Sequence, residues 1–198
     1  NRMARIVEAY APLRPEYELL SETLRLTDMD AYRQSRLITQ NQKYPLYAED
    51  STEYFKSGEE AFESILKDLR SAERFIFMEY FIIGSGVMLD QILDILKEKV
   101  KHGVVVRIIY DDFGSINAIP PHFIKEMESI GIQTRRFNPY KPMLSVIMND
   151  RDHRKILVID GRVAHTGGYN IADEYIYKKI RFGYWTDAGI RVEGECVD

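Results

Sequence analysis

The succession of segments predicts an α/β fold: a mixed β-sheet flanked by helices on both faces, preceded by a helical N-terminal segment. Three observations predict it. Strand-like and helix-like runs alternate between residues 57 and 137, the pattern of parallel strands joined by crossover helices. Two short runs flank Asp160-Gly161, which adds an antiparallel hairpin at the sheet's edge. Residues 1–40 are rich in Arg, Glu, Tyr and Leu and read as one or two helices interrupted by Pro12 and Pro15.

Within that leading segment, Glu16 to Leu26 has an apolar side containing Tyr17, Leu20 and Leu24. It is either a helix lying on a membrane or a linker helix packed on the domain. The polar side is not strongly basic, which favours packing. Tyr44-Pro-Leu-Tyr47 marks where the regular fold begins, so residues 1–40 are read as an appendage and 41–198 as the main domain.

Ser57-Gly-Glu-Glu60 is a capping-box pattern, and Ala61, Phe62, Ile65, Leu66 and Leu69 follow at helical spacing. Phe75 to Ile83 is strand-like, Gly84 and Gly86 break it, and Met88 to Val100 is helical again with Gly103 placed to end it. Val104 to Tyr110 is a buried strand, Pro121 to Ser129 a helix closed by Gly131, and Ile132 to Phe137 a further strand. Glu79 interrupts an apolar strand, so its carboxylate must be paired or line a polar cavity; the cavity is the reading taken. Asp111 and Asp112 follow a parallel strand, where open α/β sheets place ligands. They either touch a polar ligand near the site or cap the next turn, and the cap is favoured.

The chemistry concentrates in one stretch. His153, Lys155, Asp160, Gly167, Gly168 and Asn170 spell H-x-K-x4-D-x6-G-G-x-N. An Asp-Gly pair between such runs predicts a two-residue type I′ turn. Ile159 then pairs with Arg162, Lys155 faces Thr166, and His153 faces Gly168. Side chains alternate along a strand, so His153, Lys155, Thr166 and Gly168 share one face, with Asn170 diagonally beyond. Gly168, lacking a side chain, leaves room for a ligand to approach the backbone. By the same parity Asp160 lies in the turn and His165 on the opposite face. Asp160 is read as fixing the turn rather than touching the reacting group.

A neutral imidazole beside an ammonium can attack phosphorus and form a phosphohistidine, splitting one displacement into two. Lys155 supplies charge to the phosphate oxygens, and Asn170 donates to them as charge builds. The second imidazole nitrogen needs an acceptor to fix the tautomer. Asp187 is the candidate, against its reading as a surface carboxylate. Cys, His and carboxylates do not gather at metal-ligand spacing, so neither metal nor cofactor is expected. His102 and His122 read as structural.

The motif, with Asp150-Arg-Asp-His-Arg-Lys before the hairpin and Thr166-Gly-Gly-Tyr-Asn-Ile-Ala-Asp-Glu-Tyr175 after it, resembles the phospholipase D superfamily, in particular bacterial cardiolipin synthases. Further similarity lies in Phe77 to Ile83, Gly103 to Ser115 and Arg136 to Pro139. The resemblance implies a phospholipase D-like fold and phosphatidyl transfer: His153 takes a phosphatidyl group from one phosphatidylglycerol, a second accepts it, and glycerol leaves. It implies His153 as nucleophile or general acid, Lys155 and Asn170 as phosphate binders, and Asp160 as the motif aspartate. Such enzymes carry two motifs and build one site from both, whereas this sequence has one. Loss of a general acid alone costs roughly 10²–10⁴ in rate. The chain is therefore expected to be the first half-domain of a longer enzyme, with the missing half or a second copy as partner. The resemblance also implies an anchor ahead of residue 1 in a bacterial inner membrane, with the catalytic domain facing the cytoplasm and this piece soluble.

Composition sets limits. A net charge of −4 gives no basic footprint, so nucleic acid is not the expected ligand. Cys196 is the single cysteine, which rules out an internal disulfide framework and suits a reducing compartment. No apolar run reaches the roughly 20 residues that span a bilayer. The apolar residues 143–148 before the motif could receive acyl chains or pack in the core. Two other readings remain at this point: a single-motif phosphodiesterase or nuclease active as a homodimer, and a module that binds phospholipid headgroups or a partner subunit without turnover.

Overall fold

A computed structural model describes residues 15–42, 46–47, 51–140, 150–181 and 183–197. The chain divides into two compact units that part between residues 50 and 51. The first holds α1 (Pro15–Thr27) and α2 (Met29–Gln42). Asp28 separates them, its Oδ1 accepting from the backbone N–H groups of Asp30 and Ala31 at 3.1 and 2.9 Å, an N-cap for α2. Pro12, Tyr44 and the apolar residues 143–148 lie outside the described residues.

The second unit is built on β1 (Ser51–Phe55), β2 (Phe75–Tyr80), β3 (Val105–Asp111), β4 (Gln133–Phe137), β5 (Lys155–Ile159), β6 (Val163–Gly167) and β7 (Gly189–Glu193). They form one seven-stranded sheet in the order β1-β7-β6-β5-β2-β3-β4. The run β2-β3-β4 is parallel, and every other pairing is antiparallel. The hairpin β5-β6 therefore lies in the middle of the sheet rather than at its edge, because β5 pairs with β2 on one side and β6 on the other. Two strands had no sequence signal: β1 is exposed along four of its five residues, and β7 is short and half-buried.

α3 (Gly58–Ser71) leads into β2, and the crossovers of the parallel run are α4 (Val87–Lys101), the single turn α5 (Asp112–Ser115) and α6 (Phe123–Ser129). Ser57 caps α3 as expected, its hydroxyl accepting from the Glu60 N–H. Gly103 and Gly131 end α4 and α6 with φ of 85° and 90°, a region that suits glycine. The expected mixed α/β sheet with helices is what the structure contains. Its helical cover is uneven among the described residues. Ile76, Met78, Val106, Ile108, Leu157 and Ile159 are buried in one core with α3, α4 and α6, while Val105, Arg107 and Ile109 on the alternate positions are exposed.

Far from the motif's leading end, a polar group is buried in that core. His165 is fully buried on β6, its Nε2 2.7 Å from Asp68 Oδ2 on α3. Arg191 of β7 donates to both oxygens of Asp68, at 2.7 and 3.2 Å. Burial alone would raise the Asp68 carboxyl; hydrogen bonds from His165 and Arg191 outweigh that and hold it at about 2. His165 pairs in register with Leu157, so parity puts it on the Lys155 side of the sheet rather than the opposite side. It is turned into the helix-covered core.

Candidate active site

Strand polarity determines where the motif lies. β5 runs antiparallel to β2, with Tyr80 opposite Lys155 and Ile76 opposite Ile159. The leading end of β5 thus meets the carboxyl ends of β2, β3 and β4, the end where open α/β sheets place their ligands. Asp111, at the end of β3, fastens the approach: its Oδ2 accepts from the Asp152 N–H at 3.0 Å, and its Oδ1 from Phe113, Gly114 and Arg151. Asp111 is therefore the cap of α5, the reading favoured from sequence. Asp112 accepts from Arg136 and from the Tyr140 N–H.

His153 is exposed, and its ring lies 4.8 Å from that of Phe81. Lys155 is buried; its Nζ donates to the His153 carbonyl at 2.8 Å and sits 5.3 Å from the Phe81 ring centre. Phe81 thus touches both the imidazole and the ammonium. It follows β2 at the sheet's carboxyl end, a position the topology marks but its residue type does not. Burial lowers the Lys155 pKa, opposed by the charges of Asp187 and Asp152.

Asn170 is buried, its Oδ1 accepting from the Ile82 N–H at 2.9 Å and its Nδ2 donating to the Tyr175 hydroxyl at 2.8 Å. The Ile82 N–H demands an oxygen, so the amide is oriented with its Nδ2 toward Tyr175. Burial raises the Asp187 carboxyl, and the Lys155 charge opposes this; its Oδ2 is buried without a hydrogen-bond partner among the described residues. An acceptor left so is costly unless another group reaches it.

The glycines fit protein rather than ligand. A Cβ on Gly168 would lie 2.1 Å from Asp187 Oδ1, and one on Gly167 would strike Ala188 O and the Tyr169 ring. Gly168 is the gap that admits the Asp187 carboxylate. The expected hairpin register is off by one: Ile159 pairs with Val163, and Ile156, not Lys155, with Thr166. Asp160 and Gly161 do take the positive φ of a type I′ turn, 58° and 66°, and Arg162 N–H bonds Ile159 O, but Arg162 stays out of the ladder. The slip carries Thr166 to the exposed alternate face, away from Lys155.

Asp160 sits at the opposite end of the sheet. Its oxygens accept the backbone N–H groups of Glu73, Arg74 and Phe75, each at 2.8 Å. Five residues of extended chain separate it from Lys155, roughly 16 Å. It anchors the start of β2 in the manner expected of a turn-fixing residue, and the motif aspartate implied as catalytic by the resemblance lies at the far end of β5 from Lys155 rather than beside it.

Beside His153 lies a cluster that the sequence signalled only through Glu79. Arg154 bridges Glu79 Oε1 and Asp152 Oδ1, each at 2.8 Å. Glu79 is thus paired rather than facing a cavity of its own. Burial and hydrogen bonding to Asp152 push the Glu79 carboxyl up to about 7, while Asp152 is held low by Glu79 and Arg154 against its own burial. A carboxyl raised on folding favours the folded state below its ordinary value of 4.5, and that contribution is lost as pH rises toward 7. Glu79→Gln is therefore expected to flatten the fall in melting temperature across that window, as read by thermal denaturation at a series of pH values. An unchanged slope would show the pair does not share a proton. No three His, Cys, Asp or Glu among the described residues gather to hold a metal ion.

Comparison with known proteins places this arrangement. Residues 65–180 match the family described as cardiolipin synthase, PLD-like domain. The chain belongs to the phospholipase D superfamily, in its cardiolipin synthase-like branch. An uncharacterized Streptococcus mutans protein is 45% identical over 84% of this chain and 36% of its own length. A cardiolipin synthase of Alkalihalophilus pseudofirmus is 41% identical over 78% of this chain and 31% of its own length. The chain spans about a third of the length of these relatives. Among solved structures, phosphatidylserine synthase of Haemophilus influenzae aligns with a TM-score of 0.58 at 16% identity, covering 81% of this chain and 38% of that one. Nuc from Salmonella typhimurium, a phospholipase D family member, aligns at 0.54 and 21% identity over 74% of this chain and 84% of its own. At such identities the two structures establish the shared fold.

Proposed function

We propose that this chain supplies one half of the active site of a phosphatidyltransferase that joins two phosphatidylglycerols into cardiolipin and releases glycerol. The observation that carries the reading is that the His153 imidazole and the buried Lys155 ammonium both lie against Phe81 at the carboxyl end of the sheet, with the half-buried Asp187 carboxylate near enough to act on the Lys155 charge, in a chain of this family. An imidazole nitrogen of His153 forms a bond to phosphorus as the bond from phosphorus to the glycerol oxygen breaks. A general acid from a second motif protonates the departing glycerol. A hydroxyl of the second phosphatidylglycerol then attacks phosphorus, and its proton returns to that group while His153 leaves. Lys155 and an Asn170 N–H stabilise the equatorial oxygens through both steps. Asp187 accepts the other imidazole N–H and holds the tautomer. The exchange of roles, with His153 as the acid and the second motif as nucleophile, uses the same geometry.

The test is capture of the intermediate. The chain is mixed with its complementary half and with phosphatidylglycerol labelled in phosphorus, quenched in base, which spares phosphohistidine, and digested. Label on the peptide carrying His153 is the expected result. Cardiolipin formed with label only on the partner half would assign His153 the acid role, and no product with either half would end the reading. One observation favours a second reading, a homodimeric phosphodiesterase: the chain covers 84% of Nuc, so a single such domain can be nearly a whole protein. Turnover of a generic phosphodiester by the chain alone would select it.

A further inference from the structure

We infer that the described residues 177–181 and 183–184 form a lip that seats the active-site end of the sheet on an anionic lipid surface, an inference that draws its meaning from the phosphatidyl-transfer reading. The segment has its two feet in the site. At one end Tyr175 takes the hydrogen bond from Asn170, and at the other Asp187 occupies the gap at Gly168. The Trp185 ring, 5.0 Å from that of Tyr175, closes the base of the loop. Between these anchors the chain turns outward, with Tyr177 in the left-handed region at φ 56° and the N–H groups of Lys178 and Lys179 both donating to Asp173 O.

What it turns outward is apolar and cationic together. Ile180 is 68% exposed, Tyr184 61% and Tyr177 43%. The two tyrosine rings pack edge to face 4.8 Å apart, so they present one surface. Lys178, Lys179 and Arg181 are exposed alongside, and residues 175–186 contain no carboxylate in a chain whose net charge is −4. Arg181 lies 3.8 Å from Glu174, which leaves the two lysines to define the sign of the tip. Tyrosines with one apolar body and one wet end, an exposed isoleucine and neighbouring lysines are the side chains that settle at a headgroup boundary. A purely polar partner would give no reason to expose Ile180, and a purely apolar one no reason for the lysines. Seating the lip would bring His153 to the level of the headgroups whose phosphodiester it is proposed to attack.

The single tryptophan makes the contact measurable. The chain is titrated with vesicles of phosphatidylcholine alone and of phosphatidylcholine with phosphatidylserine, an anionic lipid that is not the proposed donor. Expected are a blue shift of Trp185 emission with the anionic vesicles, quenching by lipids brominated on their acyl chains, and weakening by salt. Each lysine near an anionic surface is worth about fivefold in affinity, so Lys178→Ala with Lys179→Ala should weaken binding roughly 30-fold. Ile180→Asp should abolish the bromine quenching, and since all three side chains are exposed the melting temperature should hold. Equal binding by wild type and both variants, or binding of single-stranded DNA in place of vesicles, would overturn the inference. His153→Ala separates it from the transfer reading. That variant should bind vesicles normally while forming no phosphohistidine. Vesicle binding by the wild type, with no phosphohistidine on either half once the complementary half and phosphatidylglycerol are supplied, would leave the lip standing and remove the chemistry.

Discussion

Gly168→Ala is expected to lower turnover by about a hundredfold in the reconstituted enzyme while leaving the melting temperature within a few degrees, since a displacement near 1 Å at a reacting centre can cost that much. The added methyl would occupy the position of Asp187 Oδ1, 2.1 Å away. Backbone strain is not the cause, because Gly168 is not among the residues with positive φ. What must move is the Asp187 side chain, and with it the acceptor proposed for His153 and the negative charge that supports the Lys155 ammonium. The effect should therefore fall on kcat more than on KM, and the Lys155 pKa should drop further as its partner recedes. Asp187→Asn, which keeps the shape and removes the charge, should reproduce the loss of kcat. A Gly168→Ala enzyme of normal kcat would show that Asp187 does not orient the nucleophile.

Asp160→Ala is expected to destabilise the fold by about 3 kcal/mol, measured by urea denaturation, because three N–H groups lose a charged acceptor and each such bond is worth about 1.5–3 kcal/mol before solvent screening. The substituted residue must also hold a φ of 58°, which Asp tolerates better than Ala. For a domain of this size that loss lowers Tm by roughly 6–12 °C. Asp160→Asn keeps an oxygen and the turn preference, so it should fall between. The signature is a large change in stability with a smaller change in kcat among the molecules that remain folded. A variant of full stability but no activity would instead give Asp160 a role in the chemistry.

The sequence disclosed the parallel half of the sheet and the leading end of the motif because both depend on local signals. Helical spacing after Ser57 and the alternation that sets Lys155 and Leu157 on one side are written into neighbouring residues. The hairpin register was missed by one because Asp160 and Gly161 satisfy the type I′ dihedrals while Arg162 remains outside the pairing, a choice made by the surrounding strands. That single slip moved Thr166 off the site. Contacts between distant segments were beyond reach. Asp68 meets His165 across 97 positions and Arg191 across 123, and neither partner has a periodicity that announces the other. β1 was hidden for a related reason: its four exposed residues lack the apolar alternation by which a strand is recognised. The meeting of Gly168 with Asp187 is half legible, since the sequence marks both residues but points the glycine at a ligand.

The fixed interval between Lys155 and Asp160 acts as a measuring rod. One end reaches the rim proposed for the chemistry, and the other is clamped to the foot of β2 by three amide hydrogens. The rod's length is the depth of the sheet along β5, so inserting a residue between the two would push either the ammonium past its rim or the carboxylate off its clamp. That spacing is thus an architectural requirement set by the height of the strand layer, independent of any ligand above it.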